Sequence, residues 1–404
     1  MTKPLLNLRA VAEFLVVAIC IVTFAFTSMG VFASLFGSTA AGSRDYVEYW
    51  AAGRQLVHRT NPYDKDAIFK LERSVGYPSG LPAQMVPNPP SALLLMLPLG
   101  EVGPMTGELL WELFLLASLV ASVQMIRAMN GCPKNLLHLL GYAFAPALSC
   151  LLAGQISLFI LLGLVLFLRL HRSQPFLAGA SLWLCLLKPH LFLPFGVVLL
   201  VWIVFTRNYK IVAGTASALG LSSAIATILD PQVWAQYSQL MSASRIDRVP
   251  MPCVGSLLRI YLPPHTLWLQ CLPAAIGCLW AVVYFLKRRT AWNWIEDGSL
   301  LMLVSVFVAP YTWFMDQAVL IPALLYGLYC TRSRSLVSLL ALMSAAIEIE
   351  ILGGVPLLNS VFYLWTAPAF LVWYLLATKR EPGKELGDTT HSTEEAVPPA
   401  NVPA

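Results

Sequence analysis

The stretch GQISLFILLGLVLFLRLHR, residues 154–172, decides the fold class of this chain. It runs from a Gly-Gln pair through an apolar segment to Arg169 and Arg172, and it is long enough to cross a bilayer. Similar runs recur along all 404 residues, of which 58% are hydrophobic and only 12% charged, whereas soluble domains carry about 25% charged residues. The sequence therefore predicts an all-α polytopic membrane protein.

Basic residues cluster in the short loops between these runs, as Arg207 and Lys210 do. If those loops face the cytoplasm, the chain obeys the positive-inside rule, and both of its ends are cytoplasmic. The first run is read as a retained helix rather than a signal peptide. We predict twelve spans, at about residues 11–36, 106–127, 136–151, 154–170, 175–189, 190–206, 211–229, 266–286, 297–311, 317–331, 335–352 and 360–378.

This topology predicts one membrane domain, residues 1–378, with long outer loops at about 37–105 and 230–265. The run at 89–100 is too short for a span and is interpreted as a helix dipping into the outer leaflet. Residues 379–404 lack apolar periodicity and are predicted to form a disordered cytoplasmic tail. No basic run with interleaved aromatics suggests a nucleic-acid partner.

The segment SRDYVEYWAAGRQLVHRTNPYD, residues 43–64, holds the densest cluster of charge and aromatic rings in the first outer loop. Asp45 begins a predicted helix along the membrane interface, with aromatic residues such as Tyr49 at helical spacing toward lipid or protein. Asp45 is then either a first-turn carboxylate favoured by the helix dipole, with Ser43 as cap, or a general base.

The Asp-x-Asp pair formed by Asp64 and Asp66 has two interpretations. Such a pair can hold a metal and a nucleotide-sugar diphosphate, but Asp64 follows a proline turn and precedes a helical pattern, which favours an N-cap. The eight cysteines show no metal-ligand spacing. We therefore predict no metal site, no cofactor and no essential disulfide.

Four further segments place polar side chains at predicted outer ends of spans. Gly154 permits a turn at which Gln155 satisfies exposed polar groups. Pro189 breaks a helix between Lys188 and His190. These two residues then either bind a phosphate or are a snorkelling lysine and an interfacial histidine.

The remaining two segments are 308–320 and 251–263. Asp316, in the first, is expected to bind sugar hydroxyls, to pair with Lys188 or Arg259, or to cap the following helix. Arg259 belongs to a predicted interfacial helix over the site.

These segments together resemble glycosyltransferase family 87 over about residues 40–330. RDYVEYWAAGRQLVHRTNPYD resembles its helix of one aspartate and aromatics followed by Pro-Tyr-Asp, and PNPPSALLLMLPL resembles its Tyr-Pro-Pro segment. AGQISLFILLGL, GASLWLCLLKPHLFL and APYTWFMDQAVLIPAL resemble its Gly-Gln, Lys-Pro and Pro-x-x-Trp elements in the same order. Asn88 replaces a tyrosine of many members, and Met315 with Asp316 replaces a histidine of some.

The resemblance implies a C-type glycosyltransferase fold and transfer of mannose or a related sugar from a polyprenyl-phosphate donor to a lipid or glycan acceptor. Asp45 would be the catalytic base in an inverting displacement on the periplasmic or extracellular face of the inner membrane. Lys188, His190 and Arg259 are expected at the donor phosphate. The predicted substrate-binding residues are Tyr49, Asn88, Gln155, Trp313 and Asp316.

Two other functions fit the composition. A transporter or flippase of lipid-linked sugars would carry internal repeats and ionisable residues near the bilayer midplane. In this chain the ionisable residues are predicted to lie toward one face of the membrane, which favours the enzyme. A non-catalytic membrane scaffold would leave Lys188 and Asp316 without a role.

Overall fold

A computed structural model of the protein describes Ala18 and residues 44–243, 250–263, 265–353 and 361–379. These residues form helices and connecting turns without any strand, as the sequence predicts. The predicted first span, except Ala18, and the predicted tail beyond Lys379 lie outside the described residues.

Seventeen α-helices follow one another along the described chain. They are α1 Tyr46–Val57, α2 Lys65–Ser74, α3 Leu93–Gly100, α4 Pro104–Met129, α5 Leu139–Tyr142, α6 Ala145–Ala153, α7 Ser157–Leu170, α8 Pro175–Cys185, α9 Leu193–Thr206, α10 Tyr209–Leu229, α11 Val233–Ala243, α12 Val254–Tyr261, α13 Leu267–Arg288, α14 Asp297–Phe307, α15 Ile321–Cys330, α16 Arg334–Leu352 and α17 Thr366–Ala377. Short 3₁₀ turns lie at Pro90–Ala92, Pro189–Phe192, Arg289–Ala291, Phe314–Leu320 and Val361–Trp365.

Five segments of the described chain are long and apolar enough to cross a membrane: Pro104–Met129, Pro189–Thr206, Tyr209–Leu229, Leu267–Ala291 and Arg334–Leu352. By length and composition, these segments agree with the prediction of a helical membrane protein. The other apolar helices are shorter. For example, α7 has 14 residues and extends about 21 Å, less than the roughly 30 Å of a hydrocarbon core. The twelve spans and the C-type bundle stay predictions.

The predicted span at 136–151 differs most from what is observed, because it is split into α5 and α6. Phe144 adopts an extended conformation between them, and Pro146 lies in the first turn of α6. Proline has no N–H to continue a helix from the preceding turn, but it is well tolerated where a new helix begins. The apolar run is therefore continuous in sequence, but the helix that it forms is interrupted at Phe144.

Helix α1 is buried inside the protein, so its aromatic side chains face other helices rather than lipid. Tyr46 and Tyr49 are at most 1% exposed. α1 crosses α3 closely, and a Cβ atom on Gly53 would lie 2.2 Å from the carbonyl oxygen of Met96. The predicted short helix at 89–100 is confirmed as a 3₁₀ turn followed by α3; its position in the outer leaflet stays a prediction.

Helix packing brings distant parts of the chain to one end of the molecule. α8 packs between α7 and α10, α4 packs on α7, and the 3₁₀ turn Phe314–Leu320 packs on α6 and α7. The start of α1, the end of α6 and the end of α8 thereby meet the 3₁₀ turn around a common space.

Candidate active site

A cavity of about 1150 Å³ occupies this space. Its walls come from segments that the sequence predicts at the outer face, and none of the described residues in the basic loops predicted on the cytoplasmic side contributes to it. Most of the predicted site residues line it: Asp45, Tyr49, Asn88, Gln155, Lys188, His190 and Trp313. Asp316 and Arg259 lie behind the wall, in contact with lining residues.

Asp45 occupies the N-cap position of α1, but its carboxylate makes no capping hydrogen bond in the described structure. Instead, Oδ2 accepts a hydrogen bond of 2.6 Å from Gln155 Nε2, and Oδ1 accepts one of 3.4 Å from Gln84 Nε2. Burial raises the pKa of Asp45, although Gln155 and the charges of Lys188 and Arg44 oppose that shift. Asp45 also lines the cavity, so its carboxylate is within reach of a reactant bound there. The proposed cap Ser43 lies outside the described residues.

The turn between α6 and α7 carries Gln155 to Asp45. Gly154 has a left-handed φ of 73°, and a Cβ there would lie 3.0 Å from Tyr46 Cβ. Glycine adopts this conformation without the steric cost of a side chain, which confirms the predicted turn. Tyr49 Oη donates to Gln155 Oε1 at 2.9 Å, so the glutamine bonds to the N-cap residue of α1 and to one residue within the helix.

Lys188 and Asp316 form a buried ion pair, one of the three predicted possibilities for Asp316. Lys188 Nζ lies 2.6 Å from Asp316 Oδ1 and also donates to Gln155 Oε1 at 3.3 Å. Asp316 accepts from Ser157 Oγ at 2.7 Å and from the Trp313 backbone N–H at 2.9 Å. Asp316 thus both pairs with Lys188 and caps the turn Phe314–Leu320.

His190 stands beside Lys188, because Pro189 ends the helical path of α8 and begins a 3₁₀ turn, as predicted. Its ring lies edge-on to Tyr311, with ring centroids 4.9 Å apart. Its Nε2 atom is buried and has no hydrogen-bond partner among the described residues. A buried polar atom without a partner is unfavourable unless a ligand or water completes it.

Asn88 and Trp313 are fixed by protein contacts. Asn88 Nδ2 donates to the Leu187 carbonyl at 2.7 Å, which ties the first outer loop to the end of α8. Trp313 Nε1 donates to Tyr311 Oη at 2.6 Å. Both remain at the cavity wall, where the rest of their surface can contact a substrate.

Arg259 does not reach the cavity wall. Its guanidinium donates to Gln270 Oε1 at 2.8 Å, and Gln270 Nε2 donates to the Pro310 carbonyl at 2.6 Å. Gln270, and not Arg259, lines the cavity. The arginine is 4% exposed, and it contacts the cavity wall through Gln270.

Of the two further charged residues at the cavity, sequence reasoning missed Glu48 and offered Arg44 only as a secondary candidate for the donor phosphate. Glu48 lines the cavity one turn after Asp45, and burial, together with Asp45, raises its pKa well above the ordinary value. The spacing of three residues, which puts both carboxyls on one helix face, was the available signal. Arg44 also lines the cavity and forms a buried ion triplet with Glu108 and Glu112.

Asp64 is an N-cap, as its sequence context predicts. Its Oδ1 accepts 3.0 Å hydrogen bonds from the backbone N–H groups of Asp66 and Ala67. Asp66 is exposed, and the described residues contain no group of three or more His, Cys, Asp or Glu side chains placed to hold a metal.

Replacing Asp64 with alanine is therefore expected to affect stability rather than activity. Loss of the cap should lower the free energy of unfolding by about 1 kcal/mol, seen as a lower melting temperature in detergent. Activity should stay within about twofold of wild type, because Asp64 does not line the cavity. A variant that loses activity while keeping its melting temperature would restore the diphosphate-binding interpretation.

The model of glycosyltransferase family 87 matches residues 87–310, more than half of the chain. The matched segment contains the cavity residues Asn88, Gln155, Lys188 and His190; Asp45 precedes it and Trp313 follows it. No curated protein and no solved structure matches the chain significantly.

Proposed function

The chain belongs to glycosyltransferase family 87, and we propose that this membrane glycosyltransferase moves a sugar, mannose, from a polyprenyl-phosphate donor to a lipid or glycan acceptor. The reaction would take place on the periplasmic face of the inner membrane, within the single domain of residues 1–378. One observation carries the proposal: a cavity at one end of the helices combines the carboxylate of Asp45 with Lys188 and an exposed apolar flank. The family membership favours this enzyme over the transporter alternative.

The apolar flank supports a lipid-linked donor. Leu267 and Cys271 of α13 line the cavity and are exposed, and so is Met241 of α11. Because α13 belongs to a segment suited to crossing a membrane, its exposed apolar side would face lipid tails. A polyprenyl chain could therefore lie along this flank while its phosphate and sugar enter the cavity.

Lys188 and His190 are assigned to the donor phosphate. A lysine ammonium has three N–H donors, and in the described structure Asp316 and Gln155 use two of them. The third donor remains for a phosphate oxygen, and the unpartnered Nε2 of His190 offers another contact. Charge-assisted hydrogen bonds of this kind stabilise the phosphate as it leaves.

Asp45 is assigned the role of general base. Its carboxylate would take the proton of an acceptor hydroxyl as that oxygen bonds to the anomeric carbon. The bond from the anomeric carbon to the phosphate oxygen breaks in the same displacement, and polyprenyl phosphate leaves with the electron pair. Attack opposite the leaving group inverts the anomeric configuration. The raised pKa of Asp45 makes its carboxylate a stronger proton acceptor than an exposed aspartate.

The proposal is tested with purified wild-type protein in lipid vesicles containing a membrane lipid extract. Radiolabelled mannose is offered either on polyprenyl phosphate or on a nucleotide diphosphate. We expect the label to appear in a new product only with the polyprenyl-linked donor. Transfer from the nucleotide sugar alone would refute the lipid-linked donor while leaving the family assignment intact.

A further inference from the structure

We propose that Gln155 is a positioning residue, which joins the base Asp45 to the cation Lys188 through the two sides of a single amide. The inference rests on the proposed function, since it concerns the reactive form of Asp45. It gives Gln155 a role different from substrate binding, because protein groups already engage both ends of its side chain.

The hydrogen bonds define this role. Gln155 Nε2 donates to Asp45 Oδ2 at 2.6 Å, while Oε1 accepts from Tyr49 Oη at 2.9 Å and from Lys188 Nζ at 3.3 Å. An amide carries donors on its nitrogen and lone pairs on its oxygen. A rotated amide would turn its oxygen toward the Asp45 carboxylate and its N–H groups toward the Lys188 ammonium. The two flanking charges therefore select one orientation.

The backbone fixes the position from which the amide acts. Gln155 is 7% exposed, and its backbone N–H donates to the Cys150 carbonyl at 2.9 Å. The preceding Gly154 permits the turn to approach Tyr46 closely, and its carbonyl accepts from Trp111 Nε1 at 2.7 Å. These contacts leave the turn between α6 and α7 little freedom to move. Because Gln155 projects from this turn and donates to Asp45, the orientation of the Asp45 carboxylate depends on α6 and α7 as well as on α1.

The consequence is a hydrogen bond that stabilises the ionised, basic form of Asp45. The bond from Gln155 is the largest of the influences that lower the pKa of this carboxyl. Removing it should raise the pKa, so that a higher pH is needed to ionise the base. In the described part of the chain, the charged and titratable groups near Asp45 are Arg44, Glu48, Tyr49, Tyr77, Lys188 and Tyr311. Glu72 lies beyond Glu48 and Tyr77, and Asp316 lies behind Lys188.

The test is the pH dependence of kcat/KM for wild type, Gln155→Met and Gln155→Glu, with the polyprenyl-phosphate donor. Methionine keeps the length of the side chain but removes the donor to Asp45, and glutamate adds a like charge beside it. We expect the acid limb to move to higher pH in the order wild type, Gln155→Met, Gln155→Glu. At the wild-type optimum, kcat should fall by about tenfold or more, and the donor KM should change less than kcat.

Gln317→Met is the matched control for the loss of a buried amide. Gln317 is fully buried away from the cavity wall, and its amide both donates to and accepts from Thr366 Oγ1. This variant should have a lower melting temperature, but the acid limb of its kcat/KM profile should lie at the same pH as in wild type.

The positioning role is refuted if an active Gln155→Met or Gln155→Glu enzyme keeps the wild-type limb, even when kcat is lower at every pH. If Gln155→Met does not fold, the nearly isosteric Gln155→Glu variant decides the matter alone. Failure of wild-type protein to transfer sugar would instead refute the proposed function, so the two failures are distinguishable.

Discussion

Asp45→Asn is expected to lower turnover by about 10²- to 10⁴-fold while donor binding persists. Asparagine keeps the shape of the side chain, and its Oδ1 still accepts a hydrogen bond from Gln155, but the amide cannot take a proton from an acceptor hydroxyl. Because Lys188 and His190 are unchanged, the affinity for polyprenyl-phosphate mannose should remain within about threefold of wild type. Turnover and donor binding are measured on the same vesicle preparation.

Glu48→Gln is the control for this prediction. Glu48 lies on the same face of α1, lines the same cavity and is buried. Burial and the charge of Asp45 raise the pKa of Glu48 well above its ordinary value, whereas Gln155, Lys188 and Arg44 oppose the rise at Asp45. Glu48 therefore holds a proton more firmly than Asp45 and is the poorer candidate for an ionised base. We therefore expect Glu48→Gln to lose much less turnover than Asp45→Asn. If Glu48→Gln is the inactive variant and Asp45→Asn transfers sugar at a near-normal rate, the base is Glu48.

Lys188→Met should raise the donor KM at least tenfold, about 1.4 kcal/mol, and should also destabilise the protein. Methionine removes the ammonium that is assigned to the phosphate and leaves the carboxylate of Asp316, which is fully buried, without its cation. Removing one partner of a buried pair destabilises a protein by about 3–5 kcal/mol. Donor KM and melting temperature report the two effects separately.

The double variant Lys188→Met with Asp316→Asn separates binding from folding. The amide of asparagine carries no charge, so the double variant has no unpaired buried carboxylate. It should recover most of the melting temperature that Lys188→Met alone loses. The donor KM should stay high, because the phosphate still lacks its cation. Recovery of donor affinity together with stability would show that Lys188 acts only by holding the fold.

Several features of the site follow from local sequence rules. The helix cap at Asp64, the left-handed turn at Gly154 and the helix break at Pro189 each depend on the conformational preferences of one or two residues. The pairing of Lys188 with Asp316 was among the possibilities predicted for Asp316, because the predicted topology places both residues at the same end of the molecule. Contacts between residues close in sequence, and contacts between residues that the topology places at the same end of the molecule, could thus be predicted.

Other features depend on contacts that no local pattern encodes. Arg44 meets Glu108 and Glu112 across more than sixty residues of chain, and only the packed fold selects these acids as its partners. Arg259 was predicted at the phosphate, but it lies behind Gln270 because α12 packs on α13. An arginine beside a cavity and one within its wall look the same in sequence.

The lengths of the apolar helices could not be predicted for a related reason. Hydropathy records where side chains avoid water, not where backbone hydrogen bonding stops. The break at Phe144 lies inside a continuous apolar run. Surrounding protein can hold such a break at membrane depth, so hydropathy alone gave no sign of two helices. Pro146 was the one local signal of the break.

The most direct test of the proposed mechanism is an experimental structure of Asp45→Asn in lipid with bound polyprenyl-phosphate mannose. The variant should retain the donor without consuming it. We predict phosphate density in contact with Lys188 Nζ and His190 Nε2, the sugar beside residue 45, and the polyprenyl chain against Leu267 and Cys271. A donor phosphate bound outside this cavity, or a sugar directed away from residue 45, would contradict the account.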